Sequence, residues 1–154
     1  MNEFVVRSDE KLIRFFKKIW EPISRLSLFV VFFWFGLLKV LGESPAGPLV
    51  NKLYDESMFA GLVGFGKFIV LFGLFECLIG VLFIIKGMER TVLPLLLIHL
   101  VTTMGPLLLL PETTWSKALV PTLEGQYIIK NLAIISVAIG IAASLHPLNP
   151  KRSS

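Results

Sequence analysis

Charge is scarce in this chain. Asp, Glu, Lys and Arg make up 17% of its 154 residues, against 55% hydrophobic residues, and the mean hydropathy is +0.77. A soluble domain of this length carries about a quarter of its residues as charges, so a water-soluble fold is excluded. Cysteine is scarcer still: the lone Cys77 rules out an internal disulfide, a CxxC redox pair and a thiol relay within the chain. Only two histidines occur. His99 lies inside an apolar run and His146 at the end of another, so a haem held by two histidines at one depth is not available. There is no zinc-ligand spacing, no phosphate-binding Gly-Lys-Ser loop, no Ser-His-Asp set and no arginine series of the voltage-sensor kind.

The abundant feature is the long apolar run. A helix needs roughly 20 predominantly apolar residues to cross a bilayer, and four such runs are expected, at about 23–41, 64–85, 91–110 and 126–145. They predict an all-α membrane protein, a four-transmembrane-helix bundle in one domain (23–146) with a short tail (147–154). Residues 1–22 are expected to form an amphipathic helix in the membrane interface. Leu12, Phe16, Ile19 and Ile23 share one stripe, Lys11, Arg14, Lys17 and Lys18 lie elsewhere, and the helix should end near Pro22. The first run is too long for a signal peptide and is expected to remain as a span.

Orientation follows from the basic residues. Arg7, Lys11, Arg14, Lys17 and Lys18 precede the first span, Lys86 and Arg90 join the second to the third, and Lys151 and Arg152 follow the fourth. The other two loops carry only Lys52 and Lys117. Both termini are therefore expected in the cytoplasm, with the loops at 43–63 and 111–125 outside. The net charge of +4 is thereby a topology signal and not a nucleic-acid footprint.

Ionisable side chains inside a span cost roughly 2.5–3.5 kcal/mol at mid-helix, so each is a candidate for function. At about 1.5 Å per residue, Glu76 lies roughly 18 Å below the outer end of the second span, and His99 falls at a similar depth on the third. The two could pair, sharing a proton or fixing a polar ligand. Thr102, Thr103 and Pro106 share the His99 face. Gly66, Gly73, Gly80 and Gly87 recur every seven residues in a sector that includes Glu76, which predicts a helix-packing face with Glu76 aimed into the bundle. Nearer the outer end, Lys39, Lys130 and Asn131, with Glu43 and Glu124 at the loop ends, are expected to build a basic vestibule, unless the lysines simply snorkel to phosphate. The alternative for Glu76 and His99 is a hydrogen bond that only orders the helices.

The segments RLSLFVVFFWFGLLKVLGESPAGPLV, FGLFECLIGVLFI, PETTW and GQYIIKNLAII carry a resemblance. Across residues 25–143 the chain resembles the DoxX-like family of small four-helix bacterial membrane proteins, in particular its YkgB-like branch, with Lys39, Glu76 and Lys130 on matching polar positions. Gln126 and Asn131 stand where that branch carries Arg and Asp. The resemblance implies a multi-pass protein of the bacterial plasma (inner) membrane, linked to sulfur redox metabolism or oxidative stress. The expectation is an accessory or ligand-binding component without independent catalysis, or the membrane subunit of an oxidoreductase, with a quinone as the candidate lipid-phase ligand. No other cofactor is evident. A proton-coupled transporter, and a structural subunit docking a membrane partner or a second copy, are the alternatives.

Overall fold

A computed structural model describes residues 3–57 and 60–147; Lys151 and Arg152 of the expected basic tail lie outside them. Helix α1 runs from Glu3 to Val40, α2 from Gly47 to Asp55, α3 from Phe65 to Ile84 and α4 from Glu89 to Met104. Two four-residue helices follow, α5 (Pro106–Leu109) and α6 (Pro111–Thr114), then a hairpin of β1 (Trp115–Lys117) and β2 (Val120–Pro121). Helices α7 (Leu123–Ile129) and α8 (Asn131–Ala143) complete the chain. Four segments are long and apolar enough to cross a membrane: Glu3–Val40, Phe65–Ile84, Glu89–Leu109 and Leu123–Ala143. The protein is thus an all-α multi-pass membrane protein by length and composition.

One sequence expectation changes in α1. The helix does not end near Pro22 but continues through it for 38 residues, about 57 Å at the α-helical rise. Proline removes one N–H from the ladder and crowds the preceding turn. Here Arg25 donates from Nε and Nη2 to Glu21 Oε1 at 3.0 and 2.8 Å, an i,i+4 clasp that straddles the proline. Only the second half of α1 packs in the bundle; the first carries exposed Leu12, Ile13, Phe15 and Phe16.

Leu28 and Phe32 of α1, Ile79 and Phe83 of α3, Val92, Leu96 and Leu100 of α4, and Ala138 and Ile141 of α8 form one buried cluster. Leu71, Leu74 and Leu78 of α3, Leu97, Ile98 and Val101 of α4, and Ile139 of α8 face outward. Large apolar residues on both faces suit a lipid surround, where the core is marked by close packing rather than by hydrophobicity.

Helices α1 and α3 approach to backbone contact at three glycines. A Cβ on Gly36 would sit 2.5 Å from the Gly73 carbonyl oxygen, one on Gly73 2.6 Å from that of Gly36, and one on Gly80 2.8 Å from the Phe33 nitrogen. The seven-residue glycine line is therefore half right. Gly66 faces open space, and Gly87 lies beyond the end of α3, in a turn with φ +90°. A fixed repeat in sequence marks packing only over the stretch where a partner helix runs alongside.

The remaining differences lie at the end of the bundle that carries the long loops. The third span is interrupted at Gly105, and the fourth begins at Leu123 and is interrupted at Lys130. There Ala133 N–H bonds to Lys130 C=O at 2.9 Å, a 3₁₀-type contact. Thr122 caps α7 by accepting from Gly125 N–H at 3.1 Å.

Glycine replacement tests this packing. Gly73→Ala places a methyl against backbone atoms, which cannot move aside as a side-chain tip would. A destabilisation of about 1–3 kcal/mol is expected, while Gly66→Ala leaves stability unchanged. Thermal unfolding of the two variants in one detergent checks the difference; equal midpoints would remove the close α1–α3 contact.

Candidate functional site

Three buried side chains meet where α1, α3 and α4 face one another. Lys39 Nζ donates to Glu76 Oε2 at 2.6 Å, and His99 Nε2 lies 2.9 Å from Glu76 Oε1. Lys39, Glu76 and His99 are each 5% exposed. A carboxylate withdrawn from water this far is held only if both oxygens find strong donors, and here each has one. Aromatic rings enclose the imidazole: Phe72 stacks on it at 5.3 Å and Phe32 meets it edge-on at 5.2 Å. The Lys39 ammonium also sits 5.7 Å from the Phe72 ring centre.

His99 Nδ1 is buried without a hydrogen-bond partner among the described residues. The contacts favour one tautomer. A proton on Nε2 points at the carboxylate and leaves Nδ1 a bare lone pair, whereas a proton on Nδ1 would be a buried donor with no acceptor.

The group forms one wall of a cavity of about 510 Å³. Val31, Phe35, Leu49, Leu53, Phe68 and Ile134 supply much of its apolar lining, and Thr102, Thr103, Glu124, Tyr127, Lys130 and Asn131 add polar atoms on the α4, α7 and α8 side. Both threonine hydroxyls donate to their own helix, Thr102 Oγ1 to Ile98 O and Thr103 Oγ1 to His99 O, each at 3.0 Å. They thereby remain available as acceptors. Asn131 Nδ2 reaches Thr103 Oγ1 at 3.5 Å. The Lys130 ammonium lies 3.2 Å from the Tyr127 ring centre and 5.5 Å from that of Phe35. Helix α2 and the segment before it contribute Ser44, Pro45, Ala46 and Pro48 to the cavity.

The structure therefore redraws the expected division into an interior pair and an outer vestibule. Lys39 pairs with Glu76 while lining the same cavity as Lys130. Glu43 is exposed and absent from the cavity lining, whereas Glu124, Lys130 and Asn131 are on it.

A second buried cluster lies at the opposite end. The Arg25 guanidinium forms an ion pair with Glu89 at the start of α4, adds the Glu21 bonds within α1, and donates from Nη1 to Phe83 O of α3 at 3.3 Å. Gly87 N–H donates to Glu89 Oε1 at 3.1 Å. This group carries its own signal in the sequence: Arg25 lies inside the first expected span, four residues after an acidic one. Its bidentate fork satisfies three elements at once, which a lysine could not do. Among the described residues, no three His, Cys, Asp or Glu side chains gather as metal ligands would.

Comparison with protein-family models, with curated proteins and with solved structures finds no match.

A double-mutant cycle tests the Lys39–Glu76 contact. Lys39→Met or Glu76→Gln alone strands the partner in an apolar interior and should cost about 3–5 kcal/mol. The double variant is expected to recover most of that loss, as read by thermal or denaturant unfolding in micelles. Additive losses would mean that the two side chains do not interact.

Proposed function

We propose that the protein is a DoxX-like membrane component that draws a polar-headed molecule from the lipid phase into the cavity beside Lys39, Glu76 and His99. The observation that carries this reading is the juxtaposition of a paired polar wall with about 510 Å³ of space. A polar contact whose only task is to order helices gains from being packed over, because an unfilled space forfeits dispersion contacts along its lining. Largely apolar walls with a few convergent polar groups are the make-up of small-molecule sites.

Through the family resemblance, the reading extends to redox metabolism or oxidative stress in a bacterial inner membrane, with a quinone as one molecule of fitting size and chemistry. The chain contributes binding and orientation. Lys39 and Glu76 set a fixed dipole at the wall, and His99 adds an imidazole within reach of proton exchange with Glu76. The placement of both termini in the cytoplasm rests on the basic residues of the arm, the 86–90 turn and the tail.

Mass spectrometry of protein extracted gently from its native membrane tests the binding. A retained lipid-phase molecule distinct from bulk phospholipid is expected, together with its loss from Thr102→Trp, which fills the cavity without touching the ion pair. Identical small-molecule content in both proteins would sink the reading. Topology has its own check in a Cys77→Ser background: Lys117→Cys should react with an impermeant maleimide added outside intact cells, and Lys86→Cys should not. The opposite pattern would invert the orientation.

A further inference from the structure

We infer that the cavity selects a ligand whose head is an ionised acid, with Lys130 as its counter-cation and the Asn131 amide beside it. The inference rests on the cavity being a ligand site, as proposed above, and sets an ionised head ahead of a neutral quinone.

A charge inventory of the cavity wall supports it. Lys39 is met by Glu76 at 2.6 Å, and that contact cancels one charge of each sign. Lys130 forms no ion pair among the described residues; its ammonium instead rests on the faces of Tyr127 and Phe35. Ring quadrupoles attract a cation but leave its net charge in place. Glu124 is the other carboxylate on the wall. It lies six positions earlier along the same span, about 9 Å up the axis, and forms no ion pair with Lys130.

Lys130 and Asn131 stand side by side at the junction of α7 and α8, so the ammonium and the amide N–H can reach one head from adjacent positions. Asn131 spends only a long 3.5 Å contact on Thr103, which leaves an amide proton for a ligand oxygen. Both donors line the cavity together with Phe35 and Ile134. Lys130 is itself exposed along part of its side chain, so the attraction it offers an anion comes from its unpaired charge held over the Tyr127 and Phe35 rings. A carboxylate and a phosphate monoester head share the required chemistry.

Crosslinking of diazirine-bearing palmitate to the full chain in phosphatidylcholine nanodiscs at pH 8, with residue mapping, tests this. Label is expected on cavity-lining residues, displaced at least tenfold more effectively by palmitate than by hexadecanol or a short-chain ubiquinone. Lysophosphatidate of the same chain length forms a third arm, and whichever acid competes better identifies carboxylate or phosphate as the head. Lys130→Gln should bring acid and alcohol within twofold of each other, and Lys130→Arg should keep the preference, with unfolding midpoints confirming that both variants are folded. Equal competition by acid and alcohol on the unmodified chain, or a preference that survives Lys130→Gln, would overturn the charge selection while leaving the cavity a ligand site. No label in the cavity would remove both readings.

Discussion

The backbones of α1 and α3 touch at Gly36 and Gly73, and the geometry of the buried ion pair follows from that contact. Lys39 lies three residues beyond Gly36, and Glu76 three residues beyond Gly73, on helices that run in opposite directions. Side chains lean toward the N-terminus of their own helix, so Lys39 leans back toward the bundle centre and Glu76 leans out to meet it. The Cβ of Lys39 is itself among the atoms that a side chain on Gly73 would strike. Without the glycines the helices would separate by a side-chain layer and the 2.6 Å contact would open. Packing at the smallest residues thus sets the position of the most expensive charges.

The polar groups have a common physical origin. Charge held away from water must be met by charge or by strong donors, and two groups meet that condition at opposite ends of the bundle. Arg25 with Glu89 and Glu21 ties α1 to the start of α4 and the end of α3. Lys39 with Glu76 and His99 ties α1 to the middle of α3 and α4. Between them the apolar cluster of Phe32, Ile79, Phe83 and Leu96 is closed. Beyond Lys39 the packing opens into the cavity, roofed by α2. Helix α1 therefore takes part in both clasps, and the first of them spans Pro22.

Much of this was legible in the sequence because two periodicities and one cost rule determine it. Apolar runs of span length locate the four long helices, and the cost of intramembrane charge singles out Glu76 and His99 as residues that need partners. The part that was not legible concerns relative depth. Lys39 lies next to the end of its run and reads as a terminal lysine, because counting inward from each span assumes that all spans begin at one level. Helix α3 extends further toward the loop end than α1 does, so Glu76 is deep in its own helix yet within reach of Lys39. Gly66 and Gly87 fail for a related reason: a repeat says nothing of where the partner helix stops, as at Gly66, or where its own helix ends, as at Gly87. The helix of Gly47–Asp55 and the interruption at Lys130 depend on tertiary contacts that a local pattern does not encode.

The cavity's polar composition gives the arrangement its direction. Both oxygens of Glu76 are engaged, and the threonine hydroxyls donate to their own helix. The donors left over are the remaining protons of Lys39, the amide of Asn131 and the ammonium of Lys130. These spare donors stand beside spare acceptors, the threonine oxygens and His99 Nδ1, and what distinguishes the wall is the one ammonium, Lys130, without an ion pair among the described residues. The open space beside these groups argues against the helix-ordering alternative, in which it would be filled. Ion pairing separates the roles of the two lysines. Lys39 has its charge spent on holding three helices in register, while Lys130 rests on two aromatic faces at a break in its helix and forms no ion pair among the described residues.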